Sequence, residues 1–152
     1  QIYEGTNGIQ AMDLLGRKVV TNGGAALRQF ASEIRHFAQQ HPASYGSELV
    51  TALERLEAVS GWLLEQAKAD ANAVGAAAVE YLHLFGYVAY AYMWARMVAV
   101  AEARRADDEA FYAGKLATAG FFFSRLLPRT LTLEASIRAG SAALYGLAAE
   151  QF

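Results

Sequence analysis

Few side chains in this chain could do chemistry, and their spacing decides how far each can be taken. The three histidines are His36, His41 and His83. No two of them lie four apart on one helix with a carboxylate between them, so a zinc-protease arrangement is absent. Glu80 and His83 stand at i, i+3, a spacing used in di-iron bundles, but such a site needs that Glu-x-x-His pair twice together with two further glutamates. The pair occurs once, which favours a satisfied polar pair in a core over a metal site. Cysteine is absent from all 152 residues, which removes disulfides, zinc–thiolate sites, iron–sulfur ligation and thiol nucleophiles.

Two further features lose their chemical reading on inspection. Tyr87, Tyr90, Tyr92 and Trp94 could form a ligand cage, yet aromatics that recur on every face of a helix usually pack against several neighbours. Gly5 and Gly8 straddle Thr6 and Asn7, but no Gly-x-Gly-x-x-Gly pattern or Walker lysine follows and no strand precedes them. What remains is Glu4 in "IYEGTNGIQ". From spacing alone it is an acid shortly before a helix, favourable with the helix dipole and solvated, and a lone glutamate is the least specific of catalytic signals.

The elements that would position these residues are helical throughout. Ile9, Met12, Leu15 and Val19 recur at spacings of three and four, predicting one apolar face on a helix that stops near "TNGG". Leu27, Phe30, Ile34 and Phe37 repeat the pattern until "HPASYG" forces an exit around Pro42. Ser47 is placed to cap the next helix with Glu48 in its first turn, and Leu49, Leu53, Leu56 and Leu63 line its core stripe to about Ala69. From Asp70 to Arg105 no firm break occurs, and apolar residues on nearly every face predict a helix covered by neighbours all round. "RRADDEA" ends one helix on a basic note and opens another on an acidic one, predicting a tight turn. Pro128 should bend the last long segment by removing the bond to the Ser124 carbonyl, and Gly140 and Gly146 bracket a short terminal helix. Strand patterns are almost missing. The expected fold is all-α, an up-and-down bundle of four or so long helices with a short terminal helix.

The totals agree. The length suits one domain with its own core. Thirteen lysines and arginines against fifteen acids, for a net charge of −2, are scattered, so no footprint for nucleic acid or anionic lipid is present. The hydrophobic fraction is 55%. Its richest stretch is interrupted by Glu80, His83 and Arg96, leaving about a dozen uncharged residues where a membrane span needs roughly 20. A cysteine-free chain suits a reducing cytoplasm. The absence of an initiating methionine, with no signal pattern, leads us to expect that residue 1 is a cut in a longer protein.

"IYEGTNGIQAMDLLGRK" resembles the catalytic loop and adjoining helix of the acyl-CoA dehydrogenases, flavoenzymes that introduce a 2,3-double bond into acyl-CoA thioesters. "YLHLFGYVAYAYMWARMVAVA" and "FYAGKLATAGFFFSRLLPRT" resemble the extra helical region of the longer members, the group that includes 3-methylmercaptopropionyl-CoA dehydrogenases. The likeness implies that residues 1–20 end the dehydrogenase C-terminal domain and that 21–152 form the extra helical domain. Glu4 would then be the base that takes the acyl α-proton. Gly5 would let the backbone pass close to the thioester, Thr6 would contact FAD, and Tyr3 would wall the acyl pocket. Gly8 departs from the many members with glutamine there, so that cofactor contact is not carried over.

The resemblance also implies partners lying outside this chain: the two other domains between which the family binds FAD. The chain alone is expected neither to hold FAD nor to turn over acyl-CoA. Its high apolar content predicts self-association as a homo-oligomer. The competing expectation keeps the bundle and drops the chemistry, leaving a helical interaction module in which Glu4 is a helix-flanking acid.

Overall fold

The computed structural model describes residues 6–151. Helix α1 (Asn7–Met12) continues without a break into a π-helical stretch, Asp13–Val20. Next come α2 (Ala25–Gln40), α3 (Gly46–Ala69), α4 (Ala73–Ala103) and α5 (Glu109–Phe121). A π-turn, Phe122–Leu126, leads through Pro128 into α6 (Arg129–Arg138), and the chain closes on 3₁₀ turns at Ala142–Leu144 and Ala149–Gln151. No strand occurs among the described residues, and the architecture is the expected all-α bundle.

The central member is α4, which packs against α1, α3, α5 and α6. Its inward residues Ala77, Tyr81, Leu84, Val88, Ala91, Ala95 and Val98 follow each other at steps of four and three and are all buried. That step keeps one stripe facing the same neighbours over many turns. Leu49, Leu53, Leu56 and Leu63 of α3 meet it in a single core, as their spacing predicts. Phe30 of α2 stacks on Phe85 of α4 with ring centroids 5.6 Å apart. Tyr92 of α4 donates a hydrogen bond to Glu33 of α2 at 2.8 Å.

Polar pairs fix the relative placement of the helices. Arg35 holds Glu57 through two bonds of 2.8 and 2.5 Å, tying α2 to α3. Arg55 donates to Glu134 at 3.1 Å and to the Thr130 hydroxyl at 3.2 Å, tying α3 to α6. Deep in the core, the Ser60 hydroxyl donates to the Leu56 carbonyl at 2.6 Å, leaving its oxygen to accept from Tyr81 at 2.7 Å. Among the described residues no buried side-chain nitrogen or oxygen lacks a partner. Burial pushes the Tyr81 phenol up to about 12, only partly opposed by the bond to Ser60.

The turns follow the expected breakers with two surprises. The π-helical stretch ends on Gly23 and Gly24, both at positive φ, with the Gly24 amide bonded to the Val19 carbonyl. Asp108 caps α5 by accepting from the Phe111 amide at 3.0 Å, and Arg104–Asp107 and Arg105–Glu109 pairs close that turn. Ser47, however, lies inside α3 and caps nothing. The helix starts two residues earlier than a Ser47 cap would place it, because Tyr45 takes the N-cap position in the left-handed conformation, with its ring stacked 4.0 Å from that of Phe123. Gly46 follows because a Cβ there would come within 3.0 Å of the Ala38 carbonyl. The bend expected at Pro128 is a full interruption that separates α5 from α6, and the terminal helix between Gly140 and Gly146 is a single 3₁₀ turn.

Two predicted faces also need correction. Ile9 and Met12 are exposed, whereas Ala11, Leu15 and Val19 are buried. The π-helical bonding, such as Thr21 amide to Gly16 carbonyl, widens each turn, so residues four apart stay in line and the stripe shifts. Helix α4 is not covered all round, since Val79, Tyr90, Met93, Met97 and Val100 face outward. It is also the one helix among the described residues long and apolar enough to cross a membrane. Its inward stripe is instead spent on this bundle's core.

Leu15→Ala should cost about 2–5 kcal/mol by opening a cavity, and Ile9→Ala within about 0.5 kcal/mol, in urea unfolding. Equal losses would refute the shifted stripe. Ser60→Ala leaves the Tyr81 hydroxyl buried without an acceptor and should cost about 1–3 kcal/mol. Because Tyr81 ionises at about 12 when folded and near 10 when unfolded, the stability it contributes is whole below pH 10 and is lost as pH rises towards 12. Tyr81→Phe should flatten that alkaline limb of the stability profile.

Candidate functional site

Tyr3, Glu4 and Gly5 lie outside the described residues. Thr6 is the first predicted site residue that the structure places. It is exposed, its carbonyl accepts from the Gln10 amide at 2.7 Å, and its hydroxyl makes no capping bond to α1. The hydroxyl is therefore open to solvent at the head of a helix whose far side is locked into the core by Ala11, Leu15 and Val19. Asp13 fixes the first turn of the π-helical stretch through an ion pair with Arg17 and a longer one, 3.4 Å, with Lys18. The Arg17 hydrogen bond is the main reason that the Asp13 carboxyl sits below its ordinary range.

The remaining titratable groups are structural in their geometry. Glu80 is half-buried and His83 exposed, so they form no polar pair in the core; their faces of α4 turn away from the inward stripe. His41 stacks on Phe37 at 4.7 Å. His36 lines a hollow between α2 and α3 with Arg28, Arg35 and Glu57, where the Arg35–Glu57 pair is already formed and raises the Arg35 pKa. Asp70 accepts from the Ser141 hydroxyl at 2.5 Å and from the Asn72 amide at 2.8 Å, which together lower its carboxyl. Among the described residues no three histidines, aspartates or glutamates gather as metal ligands.

The feature that spacing arguments missed lies on the outer side of α4. A hollow of about 550 Å³ opens between α4 and α5, walled by Met93, Met97, Val100 and Phe111, with Arg96 and Lys115 beside it. Both cations lie over aromatic rings, Arg96 at 5.4 Å from Tyr92 and Lys115 at 5.2 Å from Phe111. A second hollow of about 390 Å³ lies further up α4 against His83, Gly86, Tyr87 and Tyr90. Counting aromatics around the helix hid these hollows; stepping along it by fours and threes would have found them.

Comparison with known proteins bears on the whole bundle. Residues 30–148 match the model of a family described as acetyl-CoA dehydrogenase C-terminal like. The chain is 36% identical over 136 residues to a 3-methylmercaptopropionyl-CoA dehydrogenase of Ruegeria pomeroyi, covering 83% of this chain and 23% of that protein. It is 30% identical over 143 residues to a broad-specificity linear acyl-CoA dehydrogenase of Mycobacterium tuberculosis, covering 84% of this chain and again 23% of the relative. The chain thus spans less than a quarter of the length of these relatives. The family match runs from within α2 to just before the final 3₁₀ turn, so it takes in the inward stripe of α4, the α3 leucines and the π-turn before Pro128. On that extent of match, the chain belongs to the acetyl-CoA dehydrogenase C-terminal-like family, a helical domain carried by acyl-CoA dehydrogenases.

Proposed function

We propose that this bundle is the C-terminal part of an FAD-dependent acyl-CoA dehydrogenase and that it delivers Glu4 to the active site formed with the rest of that protein. The observation that carries the reading is the alignment of both named dehydrogenases across more than four-fifths of the chain. On this reading residues 1–20 end the catalytic C-terminal domain and 21–152 form the added bundle, although the helix through Val20 shares the bundle's core.

In the proposed reaction the Glu4 carboxylate accepts the α-proton of the acyl thioester. The β-carbon–hydrogen bond breaks with its electron pair, the α-carbanion pair forms the double bond, and a hydride leaves. FAD, when bound, supplies the hydride acceptor. Tyr3 walls the acyl chain, and Gly5 lets the backbone approach the thioester. Thr6 offers an exposed hydroxyl, free of capping duty, that fits a polar edge of the cofactor. A dry pocket raises the carboxylate pKa towards the range useful to a base. Self-association and a cytoplasmic setting belong to the same proposal; both named relatives are bacterial metabolic enzymes.

A second reading, a helical interaction module without its own chemistry, is favoured by the outward apolar face of α4. It makes Glu4 dispensable. In the full-length protein, Glu4→Gln should abolish exchange of the acyl α-proton with solvent while flavin absorbance is retained. Retained exchange would remove the base assignment. The 152-residue chain purified alone should show no flavin absorbance after gel filtration with added FAD; a persistent band would overturn the dependence on the missing domains.

A further inference from the structure

The hollow between α4 and α5 has an apolar floor, made by Met93, Met97 and Val100 of α4 and Phe111 of α5. The short turn closed by Arg104 and Asp107 folds α5 back along α4, which brings Arg96 and Lys115 to the same recess. Among the described residues neither cation has a carboxylate within ion-pair distance. The acids of the adjoining turn are engaged elsewhere: Asp107 with Arg104, Glu109 with Arg105, and Asp108 with the Phe111 amide. Arg96 and Lys115 rest instead over the rings of Tyr92 and Phe111. A ring face holds a cation in place without neutralising it. Two positive charges are thus fixed beside an apolar recess that no acid lines.

We propose that this hollow binds an alkyl chain ending in a carboxylate, with the head on Arg96 and Lys115 and the alkyl part laid over Met93, Met97, Val100 and Phe111. The inference does not rest on the dehydrogenase chemistry proposed above. Each part of the recess speaks for one part of this ligand. A guanidinium presents paired N–H donors that match a carboxylate, and charge-assisted bonds of this kind are the stronger class. The volume of about 550 Å³ lies within the range of sites that enclose small molecules. Methionine is unbranched and pliable, so Met93 and Met97 can follow a ligand of no fixed shape. That favours a flexible alkyl chain over a rigid ring system.

Neighbouring hollows lack this combination. The one against His83, Gly86, Tyr87 and Tyr90 is lined by no arginine or lysine. The one between α2 and α3 has Arg28 and Arg35, but Arg28 donates to the Gly23 carbonyl and Arg35 is held by Glu57, which itself lines the recess. An anion entering there would meet a carboxylate. A hollow of about 310 Å³ against Phe37 and His41 shares Arg96 and Val100 with the proposed site, and its other arginine, Arg104, is already paired with Asp107. Free positive charge and apolar surface coincide between α4 and α5, which selects an anionic amphiphile over a cationic or neutral one.

The protein has three methionines, and the third supplies an internal control. With carbon-13 at the methionine methyl groups, decanoate below its micelle concentration should shift the Met93 and Met97 signals saturably and leave that of Met12, on α1, in place. Isothermal titration should give one decanoate per protein chain. Arg96→Gln combined with Lys115→Gln should weaken binding at least about tenfold, with far-UV circular dichroism and the unfolding midpoint near wild type. Decyltrimethylammonium, which keeps the alkyl chain and reverses the charge, should not saturate the site. Equal shifts at all three methionines, equal affinity for the two probes, or wild-type affinity in the double variant would mean adsorption to exposed apolar surface and overturn the proposal. The same titration of the full-length protein should move Met93 and Met97 as well. Signals that respond in the 152-residue chain but ignore decanoate in the full-length protein would show the hollow filled by the rest of that protein, and would also overturn the proposal.

Discussion

A helix of 31 residues that is apolar on nearly all sides has to be wrapped, and that demand organises the bundle. The steps of four and three through Ala77, Tyr81, Leu84, Val88, Ala91, Ala95 and Val98 let α3, α5 and α6 meet one continuous seam. Several of those positions are alanine, and small side chains let neighbouring helices approach closely. Tyr81 is the exception in size, and it is accepted because Ser60 completes its hydrogen bonding. A buried hydroxyl pair of this kind fixes which turn of α3 faces which turn of α4, where leucine against alanine alone would slide.

Most of the helix boundaries were legible because they depend on local residues. "TNGG" stops the first helical segment, Pro42 ends the second, and Asp108 caps the fifth helix just where the charges reverse. What was not legible depends on geometry that a regular helix period does not describe. The exposure of Ile9 and Met12 follows from widened π turns, and the start of α3 at Gly46 follows from a left-handed tyrosine held by stacking on Phe123, seventy-eight positions further along the chain. The outward face of α4 was read as covered because composition cannot distinguish a neighbour inside the chain from one outside it. The pairing of Glu80 with His83 failed for the simplest reason: the two share a helix face, but the face is not the buried one.

The candidate catalytic residues lay almost wholly in the resemblance. Residue spacing leaves Glu4 as an undistinguished acid, and only the order of residues around it ties it to proton abstraction. What the folded chain adds is a firm mount. The helix that begins at Asn7 is set into the core by Ala11, Leu15 and Val19.

The π-turn at Phe122–Leu126, closed by the Leu127 amide on the Phe122 carbonyl, amounts to one residue more than a regular helix would hold between α5 and α6. That surplus residue sets the phase of everything after it. Excising it would restore an ordinary winding and swing α6 by about 100°. Thr130 and Glu134 would then leave Arg55, and Arg138 would leave the face of Trp62. The length of this short segment, more than the identity of its side chains, therefore sets which face α6 turns to α3.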